Sequence, residues 1–414
     1  MAVVIPMVWR KVTLHDVCEE KTGIRDPRST PHEDFLYVDI SAVDNKTKRI
    51  IQAKRVQGND APSRARQVIR SGDILVSTTR PNLNAVALVP PELDNQICST
   101  GFCVLRPKDN LDSEFLFAYA RSPKFVESLS RLVKGALYPA ITDRQVRVQE
   151  ISLPPLVEQR RVAEILTEQM VAIEKAREAT ITQLEAARSL AKCILRAAFS
   201  SGDADKWPKK RLGDLATSDD AFCDGPFGSN LKSEHYASSG ARVIRLQNIG
   251  AGIFLDGDKA RISLDHFASL RRHSVKQGDV VVAALGDGAR PAGRACLVPD
   301  DLGPAIVKAD CFRVRLPKES ILSTFLVTFL NSPQSLSQFS EAIRGATRPR
   351  INLKLLRRIA VPVPSLQVQQ RLVAKVVSVM QISRDLTQSI LAQAAALDSL
   401  PGRILDQAMN GEVQ

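Results

Sequence analysis

Between Val162 and Ala198 the apolar side chains return at Val162, Leu166, Met170, Ile173, Leu184, Ala187, Ala191, Ile194 and Ala198. Steps of three, four and seven residues trace one stripe of a helix. Arg177 and Thr180 interrupt the stripe for one turn. Neither Gly nor Pro occurs between Pro155 and Gly202. The pattern therefore predicts one unbroken helix of about 42 residues, roughly 60 Å long. Ordinary globular helices are far shorter, so this one reads as a coiled-coil arm or spacer. Its lead-in is Leu153-Pro154-Pro155-Leu156, followed by Glu158-Gln159-Arg160-Arg161. Proline fixes its own φ and disfavours helix in the residue before it, which makes the lead-in rigid.

The same arrangement returns near the C-terminus. Val361-Pro362-Val363-Pro364-Ser365-Leu366 leads into Gln369-Gln370-Arg371, and a second stripe runs through Leu372, Val376, Val379, Leu386, Ile390, Leu397, Leu400 and Ile404. Pro401-Gly402 lies inside this second helix and is expected to kink or stop it. The repetition extends over nearly the whole chain. Trp9, Leu14 and Asp16 keep the spacing of Trp207, Leu212 and Asp214. Gly72-Asp73-Ile74-Leu75-Val76 parallels Gly278-Asp279-Val280-Val281-Val282, and Ser122-Pro123 parallels Ser332-Pro333. A repeat of this length is a duplicated domain, not a solenoid unit. Within each copy the first part reads as β: residues 68–75, 85–89 and 102–105 are short Val/Ile-rich runs bounded by turn residues. Helices follow at 113–120 and 124–132, with counterparts at 323–330 and 334–343. The fold class is α+β, two tandem-duplicated mixed α/β domains, each followed by a long helix. The expected boundaries are 1–152 and 207–362 for the domains, 153–200 and 363–414 for the helices, and 201–206 for the linker.

Composition narrows the function. A formal charge of +12 without any Lys/Arg block places the excess base on folded surfaces, which favours a nucleic-acid partner. The seven cysteines form no CxxC pair and the five histidines are scattered, so no metal site is expected. Free thiols read as a reducing cytoplasm, and no run is long enough for a membrane span. There is no GxxxxGK phosphate loop, no HExxH and no GxSxG. Leu153-Pro154-Pro155-Leu156 lacks the polar first residue and aromatic last residue needed to hold a flipped base for methylation. Asp39, Asp44, Asp73 and Asp279 do not pair with nearby Lys at nuclease-like spacing. The chain reads as a binder without catalytic, cofactor or metal residues of its own.

Two loops have the composition of a DNA contact. Residues 77–84 follow a strand and offer Thr78, Thr79, Arg80, Asn82 and Asn84; residues 286–294 offer Arg290 and Arg294. Arg reads guanine and Asn reads adenine through paired hydrogen bonds, while Ser and Thr take phosphates. Gly225-Pro226-Phe227-Gly228-Ser229-Asn230-Leu231-Lys232 adds Ser229 and Lys232, with glycines whose N–H groups can face phosphate. Arg348 and Arg350 lie just before the second arm, as a phosphate contact or a structural elbow.

These residues carry a resemblance. Leu153-Pro154-Pro155-Leu156 with Glu158-Gln159, its partner Val363-Pro364-Ser365-Leu366 with Gln369, Gly225-Pro226-Phe227-Gly228-Ser229 and Ser77-Thr78-Thr79-Arg80-Pro81-Asn82 make the chain resemble the DNA-specificity (S) subunit of Type I restriction–modification systems, over essentially its full length. The resemblance implies that each repeat is a target recognition domain reading one half of an asymmetric, bipartite site in double-stranded DNA. It implies that the two helices pack as an antiparallel coiled-coil spacer that fixes the gap. It implies two modification (methyltransferase) subunits, carrying S-adenosylmethionine, and a restriction/translocase subunit using ATP and Mg²⁺. Leu156, Glu158, Gln159, Leu366, Gln369 and Arg371 are the candidate docking residues. Val368 stands where Glu158 does, so the two docking faces are expected to differ. Two other readings stay open from the residues alone: a recognition and cleavage chain of a related restriction system, and a coiled-coil assembly protein without DNA specificity.

Overall fold

The computed structural model describes residues 9–133, 139–200, 202–286, 290–342 and 350–412. The chain forms two compact units, one of Met1–Ile181 with Ala392–Gln414 and one of Thr182–Leu391. Each unit thus contains a part of both long helices, which run Leu156–Ser200 and Leu366–Met409.

In unit 1 the strand Asp34–Val38 pairs parallel to Ile97–Ser99, within a four-stranded sheet flanked by Lys54–Gln57 and Ala65–Val68. A three-stranded antiparallel sheet carries Ile74–Ser77 between Phe102–Leu105 and Val86–Leu88. The run 68–75 is not one strand. Gly72 turns the chain at φ +87°, ending one strand and starting the next. Arg10–Thr13 pairs antiparallel to Glu150–Leu153, which ties the first residues of the repeat to the start of its helix.

Unit 2 repeats this topology with one further edge strand in each larger sheet, Tyr236–Ala237 in one and Phe222–Asp224 in the other. Ala241–Ile244 pairs parallel to Ala305–Val307, Val280–Ala283 lies between Cys311–Val314 and Ala295–Leu297, and Lys209–Arg211 pairs with Ala360–Pro362. Side-chain contacts repeat too. Arg106 makes a bidentate pair to Asp73 (2.8 and 2.7 Å), and Arg315 makes the same pair to Asp279 (2.8 and 2.7 Å). Each aspartate also accepts an N–H of its own turn, from Arg70 or Lys276. Asp73 and Asp279 are buried, so only a matched planar cation with full hydrogen bonding makes the charge tolerable.

The paired glutamines are the second repeated lock. Gln159 Oε1 accepts from Asp112 N (2.8 Å), and Nε2 donates to Asn110 O (3.0 Å) and Pro154 O (2.9 Å). Gln369 Oε1 accepts from Leu322 N (2.9 Å), and Nε2 donates to Ser320 O (3.3 Å) and Pro364 O (2.9 Å). Both side chains are fully buried. Each fixes the first turn of a long helix to the loop before the helix Ser113–Arg121 or Ser323–Leu330.

Along the helices, burial follows a stricter period than apolarity does. Leu166, Ile173, Thr180 and Ala187 are buried at every seventh position, as are Val376, Ser383 and Ile390. That is the seam of a coiled coil. Thr180 donates to Ala176 O and, in unit 2, Ser383 donates to Ala187 O, both at 2.7 Å. A small hydroxyl satisfied by a helix carbonyl fits a seam where a larger polar group would not. Leu386, placed on the apolar stripe by sequence, is exposed. In unit 1 Arg177 pairs with Asp398 (3.2 Å), and Val162 and Leu166 share a core with Leu405, Ala408 and Met409. The two helix segments of that unit are therefore antiparallel. In unit 2 Phe199 shares a core with Leu372 and Val373 while Ala187 meets Ser383, again antiparallel.

Pro401 does not stop the second helix, which continues to Met409. Gly402 explains the local composition: a Cβ there would lie 3.0 Å from Pro123 Cγ. Gln159→Leu is expected to lower stability by about 2–4 kcal/mol, because it leaves three backbone groups without their partner. Urea unfolding of the variant measures this; a change below about 0.5 kcal/mol, typical of a surface site, contradicts the lock.

Candidate nucleic-acid interface

The 77–84 loop of unit 1 is built by its own polar residues. Ser77 Oγ donates to Thr79 O (2.9 Å), Thr78 Oγ1 donates to Gly101 O (2.9 Å), and Arg80 N donates to Pro139 O (2.7 Å). Arg80 and Asn84, both left-handed at φ 51° and 49°, bracket the short turn Pro81–Leu83. Left-handed backbone at non-glycine residues costs on the order of 1–3 kcal/mol and collects at functional sites. Thr78 and Thr79 are half-buried and hold the loop, whereas Arg80 and Asn82 are exposed with side chains available to a ligand. Asn84 is half-buried and donates through Nδ2 to Arg121 O (3.2 Å).

Beneath this loop lie two cations, Lys48 and Arg121, that no sequence motif singles out. Lys48 Nζ donates to Asn84 O at 2.5 Å. Burial, with Arg121 close by, pushes the Lys48 ammonium down to about 8. Burial likewise pushes the Arg121 guanidinium down to about 10, and Arg121 stacks 4.1 Å from the Phe117 ring centre. No local pattern in the sequence brings residues 48, 84 and 121 together; only the tertiary fold does.

In unit 2 the segment from Gly225 passes so close to another backbone that a Cβ at Gly225 would sit 1.9 Å from the Lys308 carbonyl carbon. Gly228 takes φ +60° with open space around it. Phe227, Ser229 and Lys232 are exposed on the turn this creates. The turn is braced by a pair of imidazoles in tilted contact, His235 and His266, with ring centres 4.2 Å apart. His235 Nδ1 accepts from Lys232 N (3.1 Å), and His266 Nε2 lies 3.0 Å from Asn230 O. Tyr236 sits beside this turn with Arg245 and Lys308 about its ring, at 5.8 and 6.0 Å.

The 286–294 loop corrects one expectation. Arg294 is only 1% exposed, so its side chain is buried instead of presented on the loop. Its guanidinium donates to Ile249 O (2.8 Å), Leu285 O and Pro291 O (2.9 Å each) and Leu246 O (3.1 Å). A desolvated guanidinium needs its donors filled, and these four carbonyls take four of its five N–H groups. Arg290 is half-buried; residues 287–289 and Arg348 lie outside those described. Arg350 is exposed, pairs with Asp310 (2.6 Å), and forms an isolated bridge with Leu285 that brings it beside this loop. Ser229 and Lys232 belong to the separate, Lys308-side segment.

The docking candidates divide in the same way. Gln159 and Gln369 are fully buried and committed to the locks described above, so they offer nothing to a partner. Leu156 and Leu366 are half-buried, and Arg371 is exposed. The Arg161 guanidinium beside Glu158 (2.7 Å) holds its carboxyl below the usual range. Val368 has no such charge. Among the described residues Cys223, Asp224 and His273 also converge, with Cys223 Sγ near Arg272 O (3.2 Å) and His273 Nδ1 near Asp224 O (2.6 Å). These bonds hold the turn Arg271–His273 to the strand Phe222–Asp224.

Comparisons with known proteins agree with this geometry. A family model described as the Type I restriction modification DNA specificity domain matches residues 6–183 and 204–395. The HsdS subunit from Thermoanaerobacter tengcongensis superimposes with a TM-score of 0.71 at 30% identity, over 99% of this chain and 98% of that one. A chain from a structure described as the basis of complex assembly and conformational transition of the type I R-M system superimposes at 0.80, with 31% identity and 99% of each chain covered. The Type I restriction enzyme EcoBI specificity subunit of Escherichia coli is 23% identical over 322 residues, 72% of this chain and 65% of that subunit's length. The EcoKI specificity subunit of Escherichia coli strain K12 is also 23% identical, over 76% of this chain and 69% of that protein. With both repeats matched in turn, the chain belongs to the Type I restriction modification DNA specificity family.

Proposed function

We propose that this chain is the recognition subunit that selects an asymmetric, bipartite DNA target for a methyltransferase, with each unit reading one half-site. The observation that carries the reading is the pair of topologically equivalent units whose corresponding loops differ: 77–84 offers exposed Arg80 and Asn82, whereas in 286–294 Arg290 is half-buried and Arg294 is buried. Equivalent scaffolds with unequal contact residues fit two unequal half-sites. The domains 1–152 and 207–362 would carry the reading surfaces. The helices 153–200 and 363–414 would act as the spacer, their starts offering Leu156, Glu158, Leu366 and Arg371 to two modification subunits. Methyl transfer from S-adenosylmethionine, and any ATP- and Mg²⁺-dependent cleavage, would belong to those partners and to a restriction subunit. No described helix is long and apolar enough to cross a membrane, and a cytoplasmic DNA-bound complex fits that.

The direct test is methyl transfer by the purified chain with its modification subunit, on duplexes of differing sequence. Sequence-dependent methylation, absent for the chain alone, is the expected result; Mg²⁺-dependent cutting by the chain alone would favour a cleavage chain instead. Two further outcomes are expected. Lys232→Ala should weaken binding to all sequences alike and reduce the slope of log affinity against log salt by about one, as loss of one phosphate contact does. Removing four residues within 164–188 shortens the first helix by about 6 Å; the tolerated gap between half-sites should shrink, and an unchanged gap removes the helix as ruler.

A further inference from the structure

Both units tie the loop after the second-sheet strand to the turn after the first-sheet strand, but with cations from opposite sides. In unit 2 the cation comes from the loop. Arg294 reaches the carbonyls of Leu246 and Ile249, at the ends of the turn that follows Ala241–Ile244. It also holds Leu285 and Pro291 within its own loop. The register identifies its counterpart in unit 1. Arg294 O accepts from Ala283 N (2.9 Å), and Ala85 O accepts from Ser77 N (2.9 Å), so Ala85 occupies the place of Arg294. An alanine cannot bridge. Instead Lys48, from the turn region on the other side, reaches back to the carbonyl of Asn84, next to Ala85.

This bridge is not built for stability. Lys48, Arg80 and Asn84 all hold left-handed backbone, at φ 57°, 51° and 49°. Asn84 Oδ1 and Arg121 Nε are buried without a hydrogen-bond partner. The Lys48 ammonium is partly desolvated and faces a second cation, Arg121. Strained backbone, an unsatisfied carboxamide oxygen and two cations converge under one loop, and strain of that kind persists where geometry has a use.

We propose that Lys48 is a positioning residue for base reading by unit 1: by holding the Asn84 carbonyl it fixes the 80–84 turn, so that Arg80 and Asn82 present their side chains in one geometry, as Arg294 fixes the corresponding loop of unit 2. The proposal rests on the reading that the 77–84 loop faces DNA. Lys48 itself touches no base. Its removal should therefore change which base is preferred in one half-site, and leave the other half-site and the gap as they were.

The test uses the full chain in complex with its modification subunits, and competition binding with duplexes substituted one base pair at a time in either half-site. Lys48→Met should lower discrimination at one or two positions of a single half-site by about tenfold or more, the scale of one lost bidentate base contact. Lys48→Arg should restore part of it. The melting temperature should be unchanged or higher, since a strained, desolvated cation has been removed. Loss of both half-sites together with a lower melting temperature would make Lys48 merely structural and overturn the proposal. Uniform weakening on all sequences would make it a phosphate contact, and unaltered discrimination would leave it no role; either result overturns the proposal too. The double variant Arg80→Ala, Asn82→Ala separates this from the underlying reading. If that variant leaves both half-sites intact, the loop is not the reader and both readings fall. If it alters one half-site and Lys48→Met does not, only the positioning role falls.

Discussion

Neither repeat closes its own core from contiguous sequence. Leu195 and Phe199, at the end of the first long helix, are buried in unit 2, where Phe199 packs edge-on against Phe325 (5.6 Å) and Phe329 (5.2 Å). Leu405, Ala408 and Met409, at the end of the second helix, are buried in the core of unit 1 with Phe115 and Phe125. Fully burying one such side chain is worth roughly 1.5–3 kcal/mol, against a domain stability of only 5–15 kcal/mol. Each helix therefore begins by closing the repeat that encodes it and ends by completing the other. A chain built this way cannot shed one repeat without opening the core of the remaining one.

The rest of the architecture serves to hold those helices at fixed points. The buried glutamine at the start of each helix pins its first turn, and the Trp9–Phe115 contact and the Arg10–Thr13 pairing bind the beginning of unit 1 to the same place. The Asp–Arg pairs at Asp73 and Asp279 shape the turns from which the central strands Ile74–Ser77 and Val280–Ala283 emerge. Those strands run directly into the 77–84 and 286–294 loops. Buried polar pairs at the helix starts and at the strand entries thus recur in both units, while the loops that follow the strands differ.

Much of this was legible in the sequence, for identifiable reasons. The duplication, the helix at 113–121 and its partner at 323–330 follow from periodicity and turn residues, which are local. The first long helix follows from the absence of Gly and Pro between Pro155 and Gly202, and the second from its apolar stripe, which carries the helix through Pro401. Three features were not legible. Thr180 and Ser383 occupy the helical seam although their polarity argues against it, because their hydroxyls are satisfied by carbonyls only once the helix exists. Arg294 has the composition of a DNA contact and the burial of a core residue, since its partners are carbonyls from distant turns. Lys48 is one of many scattered bases until the fold places Asn84 against it. In each case the deciding partner is a backbone group, which a residue-type pattern does not display.

The central claim is that two equivalent scaffolds with unequal loops read two unequal half-sites across a set gap. Sequencing the methylated bases in the DNA of a host that carries this chain with its modification subunit tests it most directly. The account predicts a single motif made of two different short half-sites separated by a fixed number of unspecified bases. A palindromic motif, a motif without an interior gap, or no sequence-dependent methylation would contradict it.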